Sequence, residues 1–146
     1  MKPNNILSLK LDPGVWYIED NTVSLEANNQ EFVIERESVK KNHTFLHYQQ
    51  LGDFKNTDKG YLINVNRRNT LKAFIKGDVK GNLNVQLLII GFNDKVKTFQ
   101  NYISLDFETN IEIPKDTKYI KVFIRVSGNG SCKIKSICIK DYNQSI

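Results

Sequence analysis

The ten residues from Lys118 to Ser127 read KYIKVFIRVS, and this stretch decides the fold. β-Branched residues alternate in it with charged or aromatic ones. The first set is Ile120, Val122, Ile124 and Val126, and the second is Tyr119, Lys121, Phe123 and Arg125. A period of two is typical of a strand with one face in a core. We therefore predict a half-buried strand, in which each β-branched side chain contributes roughly 1.5–3 kcal/mol of burial.

Similar strand-like segments recur along the chain, separated by turn residues. They are 15–18, 22–25, 32–34, 44–50, 61–65, 70–76, 83–92, 96–105, 109–113 and 131–139. Segment 35–42 is expected to be a loop or a single helical turn, 77–82 a loop, and Gly128 to Gly130 a hairpin turn. No segment reads as a convincing helix. The pattern predicts one all-β domain over residues 1–146, an antiparallel β-sandwich or jelly roll.

Some residues have specific expected places in this sandwich. Trp16 is expected in the core, and 83–92, apolar at both parities near its end, is expected to be covered on both faces. Cys132 and Cys138 would lie roughly 20 Å apart along one strand, too far for a disulfide, so both are expected as thiols. Cys132 and Ile137 lie on opposite parities, which predicts a bulge near Ser136.

Composition excludes several classes of function. The net charge is +5, but the cations are scattered and no nucleic-acid-binding motif is present, so no nucleic-acid partner is expected. The longest apolar run, Leu87 to Ile90, is too short to span a bilayer. No secretion signal is found near Met1, which predicts an intracellular chain or a piece of a larger protein. We expect a cytoplasmic location, with membrane association only through a parent enzyme or its partners.

Catalytic motifs are absent from the sequence. The carboxylates mostly occupy turns and strand ends, and no pair has the surroundings that glycoside hydrolysis requires. No nucleophile elbow or phosphate-binding loop is found. Two cysteines and the distant His43 and His47 do not form a zinc set. We therefore predict a chain that is not an enzyme and that has no cofactor.

The order of these segments resembles the galactose-binding-like jelly rolls used by many carbohydrate-binding modules. The resemblance covers nearly the whole chain. Its pieces are Gly14-Val15-Trp16, Val23-Ser24-Leu25, Thr70 to Gly77, Leu83 to Asp94, Ile111-Glu112-Ile113-Pro114, Ile120 to Val126, Gly128-Asn129-Gly130 and Ile134 to Ile139. The resemblance implies a non-catalytic domain that binds carbohydrate.

Two positions depart from that family. Many such modules place an aspartate of a structural calcium site where Lys135 stands here, and calcium requires oxygen ligands. We therefore expect no metal. Leu71 stands where the family often has an aromatic residue, and this change fits a core position only.

The aromatic residues that lie between cations are the candidate ligand contacts. Phe123 lies between Lys121 and Arg125, and Phe74 lies between Lys72 and Lys76. Such a face has two interpretations. In a sugar platform, the ring packs against a pyranose and the cation binds its hydroxyl or phosphate groups. In a covered sheet face, neighbouring groups bury the ring and the cation extends over it. The full set of candidates is Lys121, Phe123, Arg125, Lys72, Phe74, Gln86, Tyr102 and His47.

The leading hypothesis is an accessory domain of a bacterial glycosyltransferase that acts on a cell-surface glycopolymer. The basic charge suits an anionic polymer such as a teichoic acid or a capsule. The rival hypothesis is a structural domain that packs through the same face against an adjoining catalytic domain or a second copy of itself. An exposed face around Phe123 and Arg125 would favour sugar, and a flat apolar patch would favour assembly.

Overall fold

The computed structural model describes residues 5–9, 11–28, 31–38, 42–48, 61–62, 69–93 and 95–143. These ranges contain strands and one short 3-10 turn, Pro13–Val15. They contain no helix that is long and apolar enough to cross a membrane. The strands are β1 (Asn5–Ser8), β2 (Trp16–Ile18), β3 (Val23–Asn28), β4 (Glu31–Arg36), β5 (His43–Tyr48), β6 (Tyr61–Leu62), β7 (Asn69–Gly81), β8 (Asn84–Phe92), β9 (Lys97–Ser104), β10 (Thr109–Glu112), β11 (Tyr119–Ser127) and β12 (Gly130–Asn143).

The strands form two antiparallel sheets. Sheet A has the order β10-β7-β12-β4-β3, with β1 paired to β12, and sheet B has the order β2-β5-β11-β8-β9, with β6 paired to β11. The stretch that opens the sequence argument is β11, at the centre of sheet B. The predicted all-β sandwich is confirmed. In segment 61–65, Tyr61–Leu62 is a strand, and the prediction for 63–65 lies outside the described residues.

The core lies between the inner faces of the two sheets. Ile124, Leu87 and Ile103 of sheet B are fully buried, as are Ile34 and Ile75 of sheet A. Trp16 and Leu71 are buried among them, as predicted. Burial of this kind is the main contribution to the stability of a sandwich, because the two apolar faces leave water together.

Strand β12 contains the predicted irregularity. Its register against β7 shifts between Ile134 and Ser136, so that Cys132 and Ile137 both reach the core. Both cysteines are free, as predicted, and Cys132 is the buried one. Burial away from water raises the pKa of the Cys132 thiol to about 12. The thiol is therefore a small apolar core group at neutral pH.

The loop predicted over 77–82 is wrong at its start, because β7 continues to Gly81. Gly77 allows this, since a Cβ there would lie 2.7 Å from the Lys133 carbonyl oxygen and 3.1 Å from the Cys132 sulfur. The glycine therefore marks a close approach of two strands beside the β12 irregularity, and not the end of a strand.

The turn at Gly128 to Gly130 is not a hairpin turn, since β11 belongs to sheet B and β12 to sheet A. It carries the chain from one sheet to the other, beside the β7–β8 connection, where the Asn82 N–H donates to the Asn129 carbonyl oxygen over 2.8 Å. Gly128 has a φ of 79°, and a Cβ there would overlap the Asn82 carbonyl oxygen. Glycine is required at this crossing because of both constraints.

A buried cation connects these elements at one end of the sandwich. Segment 35–42 begins inside β4, contrary to the prediction, and Arg36 is only 1% exposed. Its guanidinium donates to the Gly128 carbonyl oxygen (2.9 Å), to Asn42 Oδ1 (2.7 Å) and to Thr44 Oγ1 (3.4 Å). Each of the three guanidinium nitrogens donates to an oxygen, which is how a buried guanidinium is tolerated.

Candidate ligand-binding face

The outer face of sheet B is formed by the residues that point away from the core. On β11 these are Lys121, Phe123 and Arg125, because Val122 and Ile124 point inward and are buried. The predicted parity of this strand is therefore correct. Four of the other strands of the sheet add their own outward residues to the same surface.

Strand register aligns one residue from each of five strands into a straight line across this face. Tyr17 pairs with His47, His47 with Phe123, Phe123 with Leu88, and Leu88 with Tyr102. We call these five residues the transverse row. Since neighbouring strands lie about 4.8 Å apart, the two ends of the row are about 19 Å apart along the sheet.

Exposure varies along the transverse row in a simple way. Its centre is buried, with Phe123 at 9% and Leu88 at 2% exposure, while Tyr17 and Tyr102 at its ends are each 44% exposed. Of the two alternatives for Phe123, its burial supports a ring covered by neighbouring groups. The ring packs edge-on against Phe45 and His47, with centroids 6.2 Å and 4.7 Å away. Such contacts add to the burial of an aromatic side chain.

His47 is held in place from both sides of its strand. Its Nε2 lies 2.9 Å from Glu19 Oε2, and its ring meets Tyr17 edge-on at 5.8 Å. Burial lowers the pKa of His47, and the hydrogen bond to the Glu19 carboxylate opposes that effect without cancelling it. The imidazole is therefore neutral at neutral pH and donates from Nε2, because an ionised carboxylate only accepts.

Arg125 lies beside the row and pairs in register with Phe45 and Gln86. Its guanidinium donates to Gln86 Oε1 over 3.3 Å and to His43 Nδ1 over 3.4 Å. The side chain is half-buried and does not extend over the Phe123 ring in any contact of the described residues. It is thus fixed in direction, with other N–H groups of the guanidinium left for a ligand.

The far end of the row has its own chain of hydrogen bonds along β9. Lys97 Nζ donates to Gln100 Oε1 over 2.7 Å, and Gln100 Nε2 donates to the Tyr102 hydroxyl over 3.1 Å. Lys121 on β11 is in register with Ile90 of β8, which pairs with Gln100, and its ammonium lies 5.3 Å from the centroid of the Phe92 ring. The exposed Tyr102 ring is therefore positioned by polar contacts and not by burial.

Six of the eight candidate residues come together on this surface. They are Lys121, Phe123, Arg125, Gln86, Tyr102 and His47. Phe74 and Lys72 lie on the outer face of sheet A instead, on the opposite side of the sandwich. There Phe74 pairs in register with Cys138, and Lys72 Nζ lies 3.7 Å from Glu108 Oε1.

Three residues of the face were missed in the sequence, namely Tyr17, Phe45 and Glu19. Tyr17 had a usable signal, since its neighbours Trp16 and Ile18 point the other way and Trp16 was expected in the core. Phe45 and Glu19 had none, because their roles depend on how β2 and β5 align with β11.

Metal-ligating groups do not cluster in the described ranges, where no three His, Cys, Asp or Glu side chains could hold an ion. Lys135, at the position of the family's calcium ligand, forms an ion pair of 3.1 Å with Asp78. What the outer face of sheet B offers is stacking surface and hydrogen-bond donors.

Comparison with known proteins gives a likeness of fold. No family model matches the chain, and no curated protein matches it. Among solved structures, it is similar to a chain of the Glycosylation Associate Protein (Gap123) complex from Streptococcus agalactiae, with a TM-score of 0.66 and 15% identity. That match covers 94% of this chain, which spans about a quarter (25%) of the other.

Two further structures show the range of the likeness. A chain in the structure of accessory secretory protein 1, 2 and 3 in Streptococcus pneumoniae matches with a TM-score of 0.58 and 12% identity, over 88% of this chain and 97% of that one. The family 29 carbohydrate-binding module CBM29_1 from Piromyces equi has a TM-score of 0.45 and 11% identity, over 97% and 95%, which is too distant to carry an argument. The two streptococcal matches and the two-sheet topology agree with the antiparallel β-sandwich predicted from the sequence.

Proposed function

We propose that the chain is a non-catalytic carbohydrate-binding domain and that a glycan lies along the transverse row. One observation carries the proposal: two half-exposed tyrosine rings, Tyr17 and Tyr102, stand at the ends of a buried apolar floor. Phe123 and Leu88 form that floor, at 9% and 2% exposure, and the Phe123 ring packs edge-on against His47. Side chains already held by packing cost little conformational entropy when a ligand binds.

The chemistry of the face suits a sugar. The apolar face of a pyranose packs on an aromatic ring, while its hydroxyl groups need polar partners at the edge of that ring. Gln86 and Arg125 lie two residues along their strands from the row, on one side of it. Gln100 lies two residues from the row on the other side. Apolar contact and hydrogen bonds are thus available along the same line.

The absence of catalysis is part of the proposal. Glycoside hydrolysis requires two carboxyl groups on either side of the scissile bond. Among the described residues that touch the transverse row, Glu19 is the carboxylate, and it accepts from the Phe45 N–H (3.2 Å) and from His47 (2.9 Å). A carboxylate held in this way supports the face and does not act as half of a catalytic pair.

The biological setting is also a proposal. The similar streptococcal chain belongs to a structure described as a glycosylation-associated protein complex, which supports a role beside a glycosyltransferase that builds a cell-surface glycopolymer. The net charge of +5 supports an anionic polymer. A cytoplasmic location, with membrane contact through partner proteins, fits that role.

The test is a glycan array with neutral, uronate-bearing and phosphate-bearing oligosaccharides, followed by calorimetric titration of the best ligand. Tyr17→Ala and Tyr102→Ala should each weaken binding roughly twofold to tenfold, since a ring stack is worth about 0.5–1.5 kcal/mol. Phe74→Ala, on the opposite face, is the matched control and should leave affinity unchanged. Equal binding by all three variants, or an array with no bound glycan, would contradict the proposal.

A second candidate function is assembly with another protein, and the same face is the observation that favours it. Tyrosines around a dry apolar centre also form typical interface hot spots. Both streptococcal structures contain several proteins, which supports this reading too. Light scattering of the purified chain separates the two candidates. Concentration-dependent dimers that Tyr102→Ala dissociates would favour assembly over carbohydrate.

A further inference from the structure

The long polar side chains that border the transverse row share one directional property. In each hydrogen bond among them an oxygen or ring nitrogen accepts, and the side chains keep further N–H or O–H groups. The donor and the acceptor of each bond can be assigned without hydrogen positions, because arginine and lysine only donate and ionised carboxylates only accept. The direction of each contact is therefore fixed by the residue type at one end.

Arg125 fixes two of its neighbours in this way. Because its guanidinium donates to Gln86 Oε1 (3.3 Å), the amide oxygen of Gln86 is occupied and its NH₂ group points elsewhere. Because it also donates to His43 Nδ1 (3.4 Å), the proton of a neutral His43 must lie on Nε2. Both side chains then present N–H groups.

Lys97 fixes the other end of the row. Its ammonium donates to Gln100 Oε1 (2.7 Å), so the Gln100 amide directs its NH₂ group to the Tyr102 oxygen at 3.1 Å. The phenol oxygen accepts that bond, and its own O–H is left to donate outward. At the Tyr17 end, Glu19 accepts one hydrogen bond on each oxygen, from the Phe45 N–H and from His47.

We propose that this rim selects an acidic glycan, one whose carboxylate or phosphate oxygens accept from Arg125, Gln86 and Tyr102. The inference rests on the proposed function and specifies the ligand of that site. Neutral sugar hydroxyls both donate and accept, whereas the groups that Arg125, Gln86 and Tyr102 present are donors. Anionic oxygens only accept, and their hydrogen bonds to such donors are charge-assisted and stronger.

The experiment compares a short oligogalacturonate with its methyl ester, which has the same backbone but no charge. A glycerol phosphate oligomer tests phosphate as the source of the acidic oxygens. The intact chain should bind at least one of the two anionic oligomers about tenfold more tightly than the ester. The tighter of the two identifies the acidic group.

Tyr102→Phe and Gln100→Glu test the role of direction. The first removes the O–H and keeps the ring, and the second turns that O–H inward onto a new carboxylate. Each should weaken the preferred anionic oligomer roughly fivefold to tenfold and the ester less than twofold. Asn84→Asp, outward-facing on β8, controls for the added charge and should have a smaller effect than Gln100→Glu.

The possible outcomes separate this inference from the proposed function. Equal or tighter binding of the ester, with Tyr17→Ala still weakening it, overturns the acidic ligand and leaves the carbohydrate-binding face standing. Failure of both anionic oligomers to bind overturns the inference, and absence of binding to any glycan on the array overturns the proposed function as well. Tyr102→Phe without effect on the anionic oligomer overturns the assigned donor.

Discussion

The two outer faces of the sandwich have similar sequence patterns and different physical roles. On sheet A, exposed lysines pair with acids, as in Lys133–Glu31 at 3.0 Å and Lys135–Asp78 at 3.1 Å, where the side chains are 47–68% exposed. On sheet B, the centre of the outer face is buried, with Leu88 only 2% exposed. One face is a solvated surface, and the other is a second, smaller apolar layer.

The difference comes from neighbours and not from the residues themselves. Phe123 and Phe74 each lie between two cations in sequence. Phe123 lies on the central strand β11, where His47 and Leu88 flank it in register. Phe74 has Cys138 as its register partner on β12. The pairing of β7 with β10 ends at Ala73, one residue before Phe74. An aromatic residue is buried on a sheet face only when both adjacent strands supply bulk beside it.

The largest expected effect is on folding stability when each phenylalanine is truncated. Phe123→Ala should cost about 3 kcal/mol, because the ring is 9% exposed and its removal opens a cavity beside Phe45 and His47. Phe74→Ala should cost less than about 1.5 kcal/mol, since Phe74 is half-buried on an otherwise solvated face. Urea denaturation of both variants measures the difference. Equal losses would mean that the two faces do not differ as described.

A smaller effect should appear with pH. Burial holds the pKa of folded His47 below its ordinary value of about 6.5. Below that pH the unfolded chain takes up a proton that the folded chain does not, so stability falls as pH decreases towards the folded pKa. Above about 6.5 the contribution is complete. One proton limits the slope to about 1.4 kcal/mol per pH unit.

Urea denaturation of the intact chain and of His47→Gln, at about pH 7.5 and about pH 5.5, measures this slope. The variant should lose less stability on acidification than the intact chain, because it lacks the neutral imidazole. A steeper acid loss in His47→Gln would show that the folded state stabilises a charged His47 instead.

The smallest effect is expected on the outer face of sheet A. Lys135→Ala should cost less than about 1 kcal/mol, because the ion pair with Asp78 lies in solvent at 55% and 68% exposure. A double-mutant cycle with Asp78→Ala measures the pair itself. A coupling energy above about 1.5 kcal/mol would show that this face is more than a solvated surface.

Sequence alone predicts the layers of this fold well, because alternation reports which residues share a face. The parity of β11, the core position of Trp16 and the irregularity near Ser136 all follow from it. Connections are predicted less well. Gly77 and Gly128 both read as turn glycines, yet one lies inside a strand and the other links two sheets.

The candidate face was predictable only in part. Alternation separates the outward residues of β11 from the inward ones, but it does not give register. The line from Tyr17 to Tyr102 joins strands that are far apart in sequence, so no local pattern indicates it. The same lack of register left two alternatives open for Phe123, because the residues that flank it come from β5 and β8.

The most direct test of the account is to map where a glycan binds by amide chemical shifts. The chain is labelled with nitrogen-15 and titrated with the tightest oligosaccharide from the array. We expect shifts that saturate together at Tyr17, His47, Phe123 and Tyr102, across all of sheet B, with Phe74 and Cys138 unmoved. Shifts centred on Phe74 and Cys138, or none at saturating oligosaccharide, would contradict the claim that the outer face of sheet B is the ligand-binding surface.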